Sequence, residues 1–172
     1  KSSLRKSLNG QWKFKYASTP EQAPADFYQP SYDSSDWAMI PVPSCWQMQG
    51  YDTPMYVNVD YPFDASQCPK IVRRDDNDGY DTNPTGSYLT TFSVPAEWSN
   101  KQLFINFEGI YSGAYIWVNG EFVGYAEDSY LTSEFDVTDK LHAGVNNIAV
   151  RIYRFTSGSM LECQDYWRLT GI

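Results

Sequence analysis

The chain of 172 residues contains one histidine, and that scarcity removes a whole set of chemistries. A Ser-His-Asp or Cys-His site needs an imidazole beside a nucleophile. His142 lies between Asp139-Lys140-Leu141 and Ala143-Gly144, with no nucleophile motif near it, and reads as a surface histidine at the end of a helical turn or in a loop. Cysteine is almost as rare. Cys45, Cys68 and Cys163 are odd in number, widely spaced and never in a C-x-x-C pair, which argues against a complete disulfide framework or a zinc site and predicts unpaired thiols. No apolar run approaches the ~20 residues that cross a bilayer. The first six residues, Lys1 to Lys6, lack the apolar stretch of a signal peptide, so a soluble chain with no membrane partner is expected, and nothing selects a compartment. Positive charge is also short. Lysine and arginine number 13 against 21 aspartates and glutamates, a formal charge of −8, which repels a phosphate backbone and argues against a nucleic-acid partner.

What the chain has is aromatic side chains and period-two patterning. Phenylalanine, tryptophan and tyrosine make up 17% of it, too much for a disordered segment of low hydrophobicity, and the length fits one domain. Trp12, Phe14 and Tyr16 alternate with Lys13 and Lys15, predicting a strand with one buried face. Three prolines, Pro20, Pro24 and Pro30, make the stretch from Ala17 to Asp36 a long surface loop, and two short extended pieces follow it. Tyr88, Thr90, Phe92 and Val94 share a face until Pro95 ends the ladder, and Leu103, Ile105 and Phe107 repeat the pattern. The sharpest local signal is Ala114 to Val118, then Asn119-Gly120, then Glu121 to Tyr125, because Asn-Gly supplies the positive φ angles of a two-residue hairpin. Ser133 to Val137 and Asn147 to Phe155 read as further strands, the second with Ile148, Val150 and Ile152 inward. About eight strands and little helix predict an all-β jelly-roll sandwich.

The stretch from Asp64 to Asn83 breaks this rhythm. Its Asp75, Asp76, Asn77 and Asp78 invite a calcium reading, but the spacing lacks the alternate ligands of an EF-hand, its glycine at the sixth position and its glutamate at the twelfth. A solvated loop is the expectation.

Composition and period lead no further than an acidic β-sandwich without a visible catalytic constellation. Several motifs lead further. Ser7-Leu8-Asn9-Gly10-Gln11-Trp12-Lys13-Phe14, Pro43-Ser44-Cys45-Trp46-Gln47-Met48-Gln49-Gly50-Tyr51-Asp52 and Met55-Tyr56-Val57-Asn58-Val59-Asp60-Tyr61-Pro62 resemble the N-terminal domain of β-galactosidases of glycoside hydrolase family two. The resemblance continues in order through Asn83 to Tyr88, Trp117-Val118-Asn119-Gly120, Ser133 to Asp136 and Gln164 to Ile172. It implies a galactose-binding-domain-like jelly roll, residues 1–172 forming a single sugar-binding domain of a larger multidomain glycosidase. In that family the domain packs beside a catalytic (β/α)8 barrel, absent here, that holds both catalytic glutamates. The fragment alone is therefore expected to be non-catalytic, its partners the galactoside substrate, the barrel of the same chain and, in the parent, a possible homo-oligomer.

Carried over residue by residue, the resemblance implies that Asn58 reaches the active site and hydrogen-bonds the sugar with Val59 beside it. An amide can meet a hydroxyl as donor or acceptor, although the residue type alone equally suits a turn. Asp165 is implied to contact the galactosyl 6-hydroxyl and to help ligate sodium, the other ligands belonging to the barrel; a structural Asp165–Arg168 pair is the alternative. Glu162 and Trp167 are read as supporting residues. Sodium and magnesium are expected in the full-length enzyme, and no tightly bound metal is expected in the fragment. Where the resemblance implies an acid and a glutamine at a peripheral magnesium site, this chain has Ser157 and Glu127; losing the acid at Ser157 weakens that site, and Glu127 partly offsets the loss. Two other readings stay open: an autonomous carbohydrate-binding module, and a purely structural buttress of the barrel or an oligomer interface.

Overall fold

The computed structural model describes residues 4–58, 61–67, 71, 83–162 and 165–172. Ten strands occur among them, with only short 3₁₀ turns for helix. They are β1 (Gly10–Ala17), β2 (Ala38–Val42), β3 (Met55–Val57), β4 (Thr85–Val94), β5 (Phe104–Phe107), β6 (Gly113–Val118), β7 (Glu121–Ala126), β8 (Ser133–Asp136), β9 (Gly144–Tyr153) and β10 (Tyr166–Arg168). The all-β sandwich is borne out. A six-stranded sheet runs in the order β2-β1-β4-β9-β6-β7, and two-stranded ribbons β5-β8 and β10-β3 complete the fold.

Alternation puts one side of each long strand into a common core. Trp12 and Phe14 from β1, Ile40 from β2, Tyr88 from β4, Ile116 from β6 and Ile148, Val150 and Ile152 from β9 are buried together against Ile105 and Phe107 of β5. The proline-rich segment expected as a surface loop carries one 3₁₀ turn, Pro20–Gln22, and covers the outer face of the same sheet. Its Tyr28 stacks on Trp117 at 4.9 Å and 10°, and the Arg151 guanidinium lies 4.5 Å over the Phe27 ring. Burying both sheet faces is why β9 reads as an almost continuous buried run.

The Asn-Gly hairpin forms as expected, with φ of 52° at Asn119 and 85° at Gly120. The Asn119 side chain also ties the turn down, donating to Lys140 O and Asn146 Oδ1 at 2.8 Å each and accepting from Asn147 N at 3.0 Å. A register shift between Ile116 and Trp117 then puts Phe122 opposite Trp117 and Tyr125 opposite Tyr115. Two expectations are corrected. The strand expected at 147–155 runs from Gly144 to Tyr153, because β4 pairs with it over ten residues and Asn83 then takes over, donating to Phe155 O and accepting from Phe155 N. The count exceeds eight because β3 and β10 are three residues each, too short to show an alternation. Of the three cysteines, Cys45 alone lies within the described residues; it is a free, half-buried thiol whose pKa burial raises. Cys68, Cys163, Val59 and the acidic stretch 73–81 lie outside the described residues. Among the described residues, no helix is long and apolar enough to cross a membrane.

Candidate functional site

The β3-β10 ribbon brings together residues more than a hundred positions apart. Its antiparallel register pairs Val57 with Tyr166, Tyr56 with Trp167 and Met55 with Arg168. Side chains alternate across such a ladder, so Tyr56 and Trp167 share one face. Asn58 follows Val57 and Asp165 precedes Tyr166, so both flank the same end of the ribbon. All four are exposed, Tyr56 at 53% and Trp167 at 57%. The Tyr56 hydroxyl donates to Asp165 Oδ1, and its ring meets the Trp167 ring at 5.6 Å and 66°, edge to face. That hydrogen bond, before the carboxylate's charge, holds the Tyr56 phenol above its ordinary pKa.

The opposite side of the ribbon is anchored by two arginines with no solvent contact. Arg168 donates from Nη1 to Tyr111 Oη at 2.6 Å and Glu162 Oε2 at 3.3 Å, and Glu162 Oε1 accepts from Ser129 N. Asp165 is exposed and accepts from Tyr56, whereas Arg168 is buried against Tyr111 and Glu162. Arg154, just past β9, pairs with Asp52 and donates to Thr53 O at 3.0 Å and Arg168 O at 3.3 Å. One guanidinium thus grips the chain entering β3 and the backbone of β10. Beyond β10, Trp46 N donates to Thr170 O, Ser44 N to Ile172 O, and Tyr111 and Gly171 exchange backbone hydrogen bonds. The ribbon is therefore held from three sides while its outer face stays open.

Of the residues singled out in the sequence, Asp165 and Trp167 both contact Tyr56 on the open face, Asn58 is exposed at the ribbon's end one residue past β3, and Glu162 braces the ribbon from beneath through Arg168. Two participants carried no signal strong enough to be read. Tyr56 lies two residues before Asn58, as Trp167 lies two after Asp165, and this matched spacing is the available trace of a shared face. Arg154 continues the inward parity of Ile148, Val150 and Ile152, where a charge demands a buried partner.

Residues 5–172 match the family described as glycosyl hydrolases family 2, sugar binding domain. The chain belongs to this family. The beta-galactosidase of Halalkalibacterium halodurans is 46% identical over 172 residues, covering 99% of this chain and 16% of that protein. The beta-galactosidase of Vibrio vulnificus strain CMCP6 is 48% identical over 169 residues, covering 98% and 15%. The chain thus spans about a sixth of the length of these curated relatives. Among solved structures, the b-glucuronidase from Ruminococcus gnavus in complex with uronic deoxynojirimycin superposes with a TM-score of 0.60 at 21% identity, covering 87% of this chain and 21% of that one. That likeness is one of fold.

At the position considered for a peripheral magnesium site, Glu127 is hydrogen-bonded to both Ser157 and Tyr125. Glu127 Oε2 accepts from Tyr125 Oη at 2.6 Å, and Ser157 Oγ lies 3.2 and 3.3 Å from the two carboxylate oxygens. Burial first, and Glu127 second, push the Tyr125 phenol pKa up. The Glu127 carboxylate is engaged by two neutral hydroxyls, and a serine stands where a second acid would be needed, so this pair does not fit a divalent-cation site. Among the described residues no three acidic, histidine or cysteine side chains converge.

Proposed function

We propose that this chain is the sugar-binding domain of a retaining β-galactosidase-type glycosidase, contributing substrate contacts to a site completed by a (β/α)8 barrel elsewhere in the parent polypeptide. The observation that carries this reading is the pairing of β3 with β10, which brings Asn58 and Asp165, both exposed, to the same end of one ribbon. Identities of 46–48% to beta-galactosidases across nearly the whole chain support the substrate class. Retention requires an acid/base and a nucleophilic carboxylate ~5–5.5 Å apart, and in this reading both belong to the barrel, so the 172-residue chain turns over no galactoside alone.

Each exposed group has a task suited to its chemistry. The Asn58 amide donates to one sugar hydroxyl or accepts from it, and Asp165 accepts from the 6-hydroxyl. Val59 adjoins Asn58 in the chain and is assigned a contact beside it. One carboxylate is not a sodium site; Asp165 would offer one oxygen to a sodium whose other ligands belong to the barrel, where a hard cation supplies positive charge beside sugar oxygens. Any magnesium requirement belongs to the parent and not to the Glu127–Ser157 position.

The test is kinetic. In the full polypeptide that carries this domain, Asn58→Ala and Asp165→Ala are expected to lower kcat/KM for an aryl β-galactoside by about tenfold or more each, as loss of a hydrogen bond to a sugar hydroxyl does. Unchanged kcat/KM in both variants, or turnover by the isolated chain, would overturn the reading.

A further inference from the structure

We propose that Tyr56 is the positioning residue of the sugar site, fixing the Asp165 carboxylate so that one oxygen is held and the other faces substrate. This inference rests on the reading that Asp165 meets the sugar. The diagonal geometry of the ribbon is what makes it work. Tyr56 lies directly opposite Trp167, so Asp165 is its diagonal neighbour two positions away. Diagonal pairs on one face of an antiparallel ladder are ~7–8 Å apart, a gap that only long or aromatic side chains cross. Tyrosine crosses it and ends in a donor, and its hydroxyl bonds Asp165 Oδ1.

An aspartate on an exposed strand end samples several rotamers, and binding a sugar would have to select one. A donor already in place on Oδ1 makes that selection before substrate arrives, which is how preorganisation raises affinity without adding a substrate contact. The donor must itself be fixed. Tyr56 has only two side-chain torsions, and its ring is packed edge to face on Trp167. Trp167 thereby supports Asp165 indirectly, through the ring of Tyr56.

The same contact has little structural work to do. Both partners are exposed, and hydrogen bonds between exposed side chains add little to stability. The ribbon is secured instead by Arg154, Arg168 and the backbone bonds of Thr170 to Ile172 on its other side. Nor is Tyr56 a catalytic residue here, since its hydroxyl acts through Asp165.

The experiment compares Tyr56→Phe, Asp165→Ala and the double variant in the full polypeptide, with an aryl β-galactoside as substrate. Tyr56→Phe is expected to lower kcat/KM about fivefold, the size of one charge-assisted hydrogen bond weakened by solvent, at unchanged melting temperature. In the Asp165→Ala background the same change is expected to cost nothing further. A silent Tyr56→Phe beside a damaging Asp165→Ala overturns this inference and leaves the proposed function standing. A silent Asp165→Ala overturns both. A Tyr56→Phe loss that persists in the Asp165→Ala background, or that comes with a lowered melting temperature, assigns Tyr56 a different role and overturns the inference.

Discussion

The Arg154 guanidinium and the Asp52 carboxylate form an ion pair whose side chains are 0% and 4% exposed. Charges cannot be buried singly without a large desolvation penalty, so each makes the other's position tolerable. Asp52 belongs to the loop that delivers the chain to β3, and Arg154 also binds the backbone of β10, so this pair sets where the ribbon sits.

Removing one partner leaves a charge without compensation. Asp52→Ala is expected to destabilise the domain by about 3–5 kcal/mol. At the usual sensitivity of a domain this size, the melting temperature falls by about 10 °C, measurable by calorimetry or by the urea midpoint. A loss under about 1 kcal/mol would show that water reaches Arg154 and replaces the carboxylate.

The strap after β10 admits no side chain at Gly171. A Cβ there would stand 2.0 Å from Ser44 O, and the Ser44 backbone is itself held by its N–H, which donates to Ile172 O. Gly171→Ala is expected to cost at least the ~1–3 kcal/mol of overpacking. Increased hydrogen exchange at Ser44, Trp46 and Tyr111 amides would report the strap's release, and wild-type exchange there would contradict it.

Alkaline pH should unfold the domain through its tyrosines. Burial pushes the Tyr16 phenol up to about 12, Asp52 adding to the shift, and burial likewise raises Tyr88, Tyr125 and Tyr153. A raised folded pKa means the folded state keeps its proton after the unfolded chain has lost it. The associated stability is full below about pH 10 and is lost as pH rises through about 12. Urea midpoints from pH 8 to 12 should fall steeply above pH 10, and Tyr16→Phe should make that fall shallower.

Magnesium should not stabilise the wild-type domain at the Glu127–Ser157 position. Ser157→Asp would set a second carboxylate against Glu127, where repulsion lowers the melting temperature and millimolar magnesium restores it. Magnesium-independent melting of Ser157→Asp would show that the loop does not bring the two acids together.

Galactose titrated into the isolated chain should give no heat up to tens of millimolar, because the ribbon supplies one wall of a site and no enclosure. Micromolar binding abolished by Asp165→Ala would favour a self-contained carbohydrate-binding module.

Much of the fold was legible because it is written locally. Alternation in Trp12-Phe14-Tyr16 and Ile148-Val150-Ile152, and the Asn119-Gly120 turn, depend on neighbours within a few positions, so the strands and their inward faces could be read without the partner strands. The all-β class, the hairpin and the covering proline-rich segment follow from that. The family motifs also marked Asn58 and Asp165 individually.

What only the tertiary structure decided is which distant residues meet. A three-residue strand has no period to detect, and the pairing of β3 with β10 closes a loop of more than a hundred residues, so its register rests on the buried contacts of Arg154, Arg168 and Gly171 and not on the ribbon's own sequence. That register puts Tyr56 within reach of Asp165, and it turns Arg168 inward to Glu162 and Tyr111, away from the aspartate three residues before it.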